Sequence, residues 1–88
     1  MDVANTPIAE RIARVLAGQQ LSANADGSEE SAGDMVERAW KDRLSDAIAV
    51  LHTLRAPDRS MAAVGDPEIW ERMVLAAIED AKPDTVIL

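Results

Sequence analysis

The sequence predicts a small all-α bundle of three main helices, at residues 7–18, 35–55 and 67–81, with one short helix at residues 57–64. Apolar side chains recur at spacings of three and four residues, which is typical of amphipathic helices. Proline and glycine stand where these stretches begin or end, and no stretch shows the alternation of a half-buried strand. The 88 residues, with 48% hydrophobic side chains but only two tryptophans as aromatics, suffice for a single domain spanning residues 1–88 with a thin core.

The first predicted helix covers residues 7–18. Thr6 supplies a capping oxygen, and Pro7 suits the first helical position. Four apolar residues occupy an arc of roughly 100° and are expected to face the core: Ile8, Ile12, Val15 and Leu16. Gly18 is expected to end or loosen this helix.

An acidic loop is predicted at residues 22–34. It contains four acids and no base, and it has no large apolar side chain before Asp34. This composition is typical of a mobile loop. A calcium loop with Gly27 as its turn glycine would need an acid at the first ligand position and a glutamate at the last. Those positions are Ser22 and Gly33, so we expect no metal site here.

The second helix, over residues 35–55, gives the strongest helical signal. Its apolar stripe advances by three or four residues at a time through Val36, Trp40, Leu44, Ala47, Leu51 and Leu54. Pro57 stops it, because the residue before a proline avoids the α region. We expect the other main helices to pack along this stripe.

The last two helices have clear starts. Pro57 and Asp58 begin the short helix, whose Met61 and Val64 are expected to face inward. Asp66 precedes Pro67 as a capping carboxylate of the last helix. The apolar residues of that helix cover nearly half its circumference, which predicts packing against two neighbours: Ile69, Trp70, Met73, Val74, Ala77, Ile78 and Ala81.

Composition argues against several classes of function. The absence of cysteine excludes disulfides and thiolate metal sites. The net charge of −7 argues against unaided binding to nucleic acid or to an anionic membrane. No apolar run reaches the ~20 residues of a membrane span, and the first residues lack the basic start of a secretory signal. We therefore expect a cytoplasmic protein without cofactor or metal.

Two residues are candidates for catalysis. His52 is the only histidine and falls opposite the apolar stripe of its helix, with no acid or nucleophile at a suitable spacing. Asp80 is the only acid within an apolar arc. No sequence motif for nucleophilic, phosphate-binding or metal-dependent catalysis is present. The sequence therefore favours a protein that is not an enzyme, with a small enzyme using His52 or Asp80 as the less favoured alternative.

Apolar residues near the carboxyl end predict a protein interface. Leu75 falls on the charged side of the last helix, and the apolar tail at residues 83–88 has no partner strand. We expect the interface to comprise Trp70, Leu75, Val86, Ile87 and Leu88. A homodimer would bury these groups by two-fold pairing, and it would tighten with salt because each copy carries −7.

The favoured function is a non-catalytic helical module for protein interaction or regulation, with self-association as one use of its surface. The alternative is an acidic nucleic-acid mimic, in which the acids of residues 22–34 bind a basic partner. Residues 39–78 carry an alanine-rich helix ending in Leu-Arg-Ala-Pro and a later Trp-x-x-Met-x-x-Ala-Ala pattern. This pattern resembles a group of short, alanine-rich helical bacterial proteins to which no activity is assigned, so the resemblance implies a helical fold and no site.

Overall fold

The computed structural model describes residues 3–24 and 32–81. Within these ranges the regular structure is entirely helical, which confirms the small all-α fold. The elements are α1 (Ile8–Asn24), α2 (Ala32–Ala39), a 3₁₀ turn (Trp40–Arg43), α3 (Leu44–Leu54), α4 (Arg59–Val64) and α5 (Pro67–Ala81). None of the helices in the described ranges is both long enough and apolar enough to cross a membrane.

Helix α1 continues through Gly18, so the prediction that it ends there is wrong. Gly18 lies where α1 and α2 approach each other. A Cβ atom built on Gly18 would lie 3.6 Å from Cγ2 of Val36, which is ordinary van der Waals contact. Glycine inside a helix costs about 1 kcal/mol relative to alanine. Packing of α1 against α2 offsets this local preference, because most helix stability in proteins comes from tertiary contacts.

The predicted helix over residues 35–55 is divided by the 3₁₀ turn. Leu44 N–H donates to the carbonyl oxygen of Lys41, a bond to the third preceding residue. Helix also extends into both ends of the predicted loop at residues 22–34, because α1 ends at Asn24 and α2 begins at Ala32. The rest of that loop lies outside the described residues, and its mobility stays a prediction.

The buried face of α1 consists of alanines. Ala9, Ala13 and Ala17 follow one another at intervals of four and are buried, whereas Ile8 is 39% exposed and Val15 is 61% exposed. The expectation that the larger apolar residues face the core is therefore wrong for these two. Small side chains at four-residue spacing let α1 lie close to α2, the 3₁₀ turn and α3, so the core face is rotated by roughly 100° from the predicted stripe.

The main apolar core lies where α5 packs against α1 and α3. Its buried members are Ala9, Leu51, Val74 and Ile78. Partly buried side chains surround them: Ile12, Leu44, Ile48, Trp70, Ala77 and Ala81. The predicted stripe of the central helix is thus confirmed at Leu44, Ala47 and Leu51, but it is wrong at Leu54, which is 37% exposed at the end of α3. Helix α5 has the two neighbours that its wide arc predicted.

A small ionic cluster joins α1 to α2. Arg14 donates to Glu10 and Glu37 at 2.8 Å each, and its guanidinium lies 5.0 Å from the ring centroid of Trp40. The hydrogen bonds and charge of Arg14 lower the pKa of the Glu37 carboxyl below its usual value.

Candidate functional site

An apolar groove between α4 and α5 is the candidate site. It has a volume of about 350 Å³ and is open along one side. Asp66 is the only ionisable residue in its lining. The lining consists of Pro57, Met61, Ala62, Val64, Gly65, Asp66, Pro67, Ile69, Trp70 and Met73.

Two aspartate caps determine where the walls of the groove begin. The carboxylate of Asp58 accepts a hydrogen bond from Met61 N–H at 3.0 Å at the start of α4. The carboxylate of Asp66 accepts from Glu68 N–H at 2.9 Å at the start of α5. Each cap satisfies a backbone donor that has no partner inside its helix. The start of α5 at Asp66 and Pro67 is as the sequence predicted.

Trp70 fixes α5 to the end of α3. Its Nε1–H donates to the carbonyl oxygen of Leu54 at 2.6 Å, a helix-end carbonyl that lacks a partner within α3. Beside it, Nε of Arg55 donates to Glu71 at 3.0 Å. The indole is half-buried against the core and also lines the groove. The groove therefore has one rigid wall.

The other wall is exposed. The sequence predicts that Met61 and Val64 face inward, but Met61 is 36% exposed and Val64 is 88% exposed, so that prediction is wrong. The physical reason is that α4 makes no extensive contact with another described helix. On α5, Ile69 is 47% and Met73 is 63% exposed. Large apolar side chains thus line both sides of an open groove.

The face of α5 that lines the groove continues into a second depression of mixed polarity, whose lining includes Asn5 and Thr6. Met73 also lines this second, more open depression between α5 and the segment that precedes α1. The second depression also contains Ala76, Asp80 and Arg11. From Pro67 to Asp80 the two depressions follow α5 for about 20 Å, at 1.5 Å per residue.

The residues predicted from the sequence do not form one surface. Leu75 is exposed but lies roughly 160° around α5 from Met73, since each residue advances about 100°. Val86, Ile87 and Leu88 lie outside the described residues. Trp70 is the one predicted interface residue that the structure places in the groove.

The two candidate catalytic residues lie on different helices. His52 is exposed on α3, and Asp80 is exposed on α5 beside the second depression. Within the described ranges, no three His, Asp or Glu side chains lie close enough together to hold a metal ion.

Sequence reasoning missed Met61, Val64, Ile69 and Met73 as an open surface. One available signal was the length of α4. A helix of six residues between Pro57 and Gly65 offers little surface on which a neighbour can pack.

Charge is distributed unevenly between the two parts of the fold. Residues 57–81, which contain α4 and α5, hold six acidic and two basic side chains. Residues 8–24 and 32–56 together hold five acidic and six basic side chains. The groove therefore lies in the acidic part of the described fold.

No protein-family model, curated protein or solved structure matches the chain. The resemblance over residues 39–78 therefore stays a prediction. The candidate site rests on the geometry, exposure and charge of the residues around α4 and α5.

Proposed function

We propose that the chain is a non-catalytic helical module for protein interaction or regulation, and that it binds its partner through the α4–α5 groove. The observation that carries this proposal is the exposure of large apolar side chains around the groove, since Val64 is 88%, Met73 is 63% and Ile69 is 47% exposed. Clusters of exposed apolar side chains are often interaction sites, and the described part of the chain leaves this one open to solvent. The cytoplasmic location expected from the sequence belongs to the same proposal.

A small enzyme is the less favoured function. General acid–base catalysis needs a second group within hydrogen-bond reach and a site that shields the reacting atoms from water. His52 and Asp80 are on different helices, and both are exposed. The apolar groove contains neither residue.

Site-specific photo-crosslinking tests the proposed function. A photo-reactive amino acid is placed at Met73, and the matched control carries it at Val15, which is similarly exposed (63% and 61%) but lines neither depression. In cells that produce the protein, we expect a discrete crosslinked species from position 73 and none from position 15. The same pattern from both positions, or no adduct from position 73, would contradict the proposal.

A further inference from the structure

We propose that the partner presents a basic amphipathic helix, which lies along α5 with its apolar face in the groove and its lysines or arginines toward Asp66 and Asp80. This inference rests on the proposed function and names the chemistry of the partner.

The shape of the surface fits a helix. The two depressions meet at Met73 and extend along α5 for about 20 Å, which matches a helix of roughly 13 residues. A small-molecule site buries most of its ligand. This groove is open along one side, so it can cover one face of a ligand while leaving the other in solvent.

The groove can bind apolar side chains of varied shape. Met61 and Met73 line opposite walls, and both are accessible. Methionine side chains are flexible and polarisable, and they adapt to different apolar partners. Trp70 adds a large aromatic surface that its hydrogen bond to Leu54 holds in place. Apolar anchors at helical spacing are the groups that such a groove binds.

Charge determines which helix is favoured. Asp66 lines the groove, and Asp80 lines the second depression together with one base, Arg11. The α4–α5 segment has a net charge of −4, from six acids and two bases, and the whole chain has −7. Glu68, Glu71 and Glu79 lie about 120° or more around α5 from Met73, so Asp66 and Asp80 are the acids that line the surface. Complementary charge speeds association and selects among partners with similar apolar faces. A basic amphipathic helix complements both the apolar side chains of the groove and the acidic side chains beside it.

The same charge disfavours a second copy of this chain. Two-fold pairing through α5 would bring two segments of net charge −4 together. Such a dimer would tighten when salt is added, because screening weakens the repulsion between like charges. Binding of a basic helix would weaken under the same conditions. The salt dependence of binding therefore distinguishes a basic helix from a second copy of this chain.

The test uses the full chain and three synthetic peptides of about 18 residues, long enough to span the surface. The first contains leucines at helical i, i+3, i+4, i+7 spacing and lysines elsewhere. The second has glutamate in place of lysine, and the third has the first composition in scrambled order. Titration calorimetry gives the affinities. We expect the leucine–lysine peptide to bind, and its affinity should fall by severalfold or more between about 50 and 300 mM salt. The other two peptides should bind at least tenfold more weakly.

Variants locate the binding surface. Met73→Gln removes an apolar contact without adding charge and is expected to weaken binding roughly tenfold. The control Val15→Gln, at a similarly exposed position, is expected to leave the affinity within about twofold. Asp80→Asn is expected to weaken binding more than Asp42→Asn, which lies in the 3₁₀ turn. Circular dichroism verifies that each variant is folded.

Four outcomes would overturn the inference. The first is an equal loss of affinity in Met73→Gln and Val15→Gln, and the second is equal affinity for the scrambled peptide. The third is loss of binding only when Asp26, Glu29 and Glu30 are replaced, and the fourth is a dimer that tightens with salt and blocks the peptide. The third would favour the nucleic-acid mimic. A discrete crosslink from position 73 alongside any of these would preserve the proposed function and reject only the basic helix.

Discussion

Replacing Ala13 by leucine tests which face of α1 is buried. Ala13 is fully buried in the face that α1 presents to α2 and α3. Leucine adds three carbons where the helices are in close contact, and such overpacking costs about 1–3 kcal/mol or more. A chain of 88 residues has a total stability on the order of 4–13 kcal/mol at typical values per residue. The loss is therefore a large fraction of the total.

Urea denaturation followed by circular dichroism measures this loss. For a domain of this size the dependence of the unfolding free energy on urea is about 1 kcal/mol per molar. The midpoint should thus fall by roughly 1–3 M in Ala13→Leu. The matched variant Val15→Ala changes a side chain that is mostly exposed, and its stability should change by less than about 0.5 kcal/mol.

The opposite pair of results would refute the packing of α1. If the larger apolar residues faced the core, Val15→Ala would lose about 2 kcal/mol or more through the cavity it leaves. Ala13 would then lie toward solvent, and Ala13→Leu would be tolerated.

Three further predictions concern single contacts. Gly18→Ala should stabilise the fold by about 0.5–1 kcal/mol, because alanine is favoured over glycine inside a helix. The added Cβ would be 3.6 Å from Cγ2 of Val36, an ordinary contact distance. A lower urea midpoint would contradict this. Trp70→Phe keeps most of the packing but loses the hydrogen bond to the end of α3, so it should cost about 1 kcal/mol, and an unchanged thermal midpoint would be against it. Arg14 lowers the pKa of Glu37 below its usual value of 4.5. The stabilisation is therefore present above about pH 4.5 and is lost as the pH falls through the lower pKa of the folded state. Urea midpoints at about pH 6 and pH 3 should accordingly differ less in Glu37→Gln than in the original chain, and an equal difference would count against the ion pair.

Local signals predicted the start of α5 and placed the start of α4 two residues too early, at Pro57 instead of Arg59. Asp58 and Asp66 each have a side-chain oxygen at a helix start, and a cap involves only the next two or three residues. Caps are therefore readable in the sequence. The 3₁₀ turn at Trp40–Arg43 has no proline or glycine to mark it, so periodicity alone predicted one continuous helix over residues 35–55.

The face of α1 and the groove depend on distant residues. Apolar periodicity ranks Ile8 and Val15 above the alanines, but burial favours Ala9, Ala13 and Ala17 because small side chains allow close approach of α2 and α3. Met61 and Val64 have helical spacing typical of core residues, yet none of the helices in the described ranges packs extensively over α4. Periodicity identifies an apolar face but does not say whether this chain or another one covers it.

The central claim is that a basic amphipathic helix binds between α4 and α5, and the two tryptophan indoles test it most directly. Trp70 lines the groove, whereas Trp40 lies in the 3₁₀ turn beside Arg14 and Lys41. In ¹⁵N-labelled protein, titration with the leucine–lysine peptide should shift the indole N–H resonance of Trp70 in a saturable way and leave that of Trp40 nearly unchanged. A shift of Trp40 alone, equal shifts of both, or no shift of Trp70 at saturating peptide would contradict the claim.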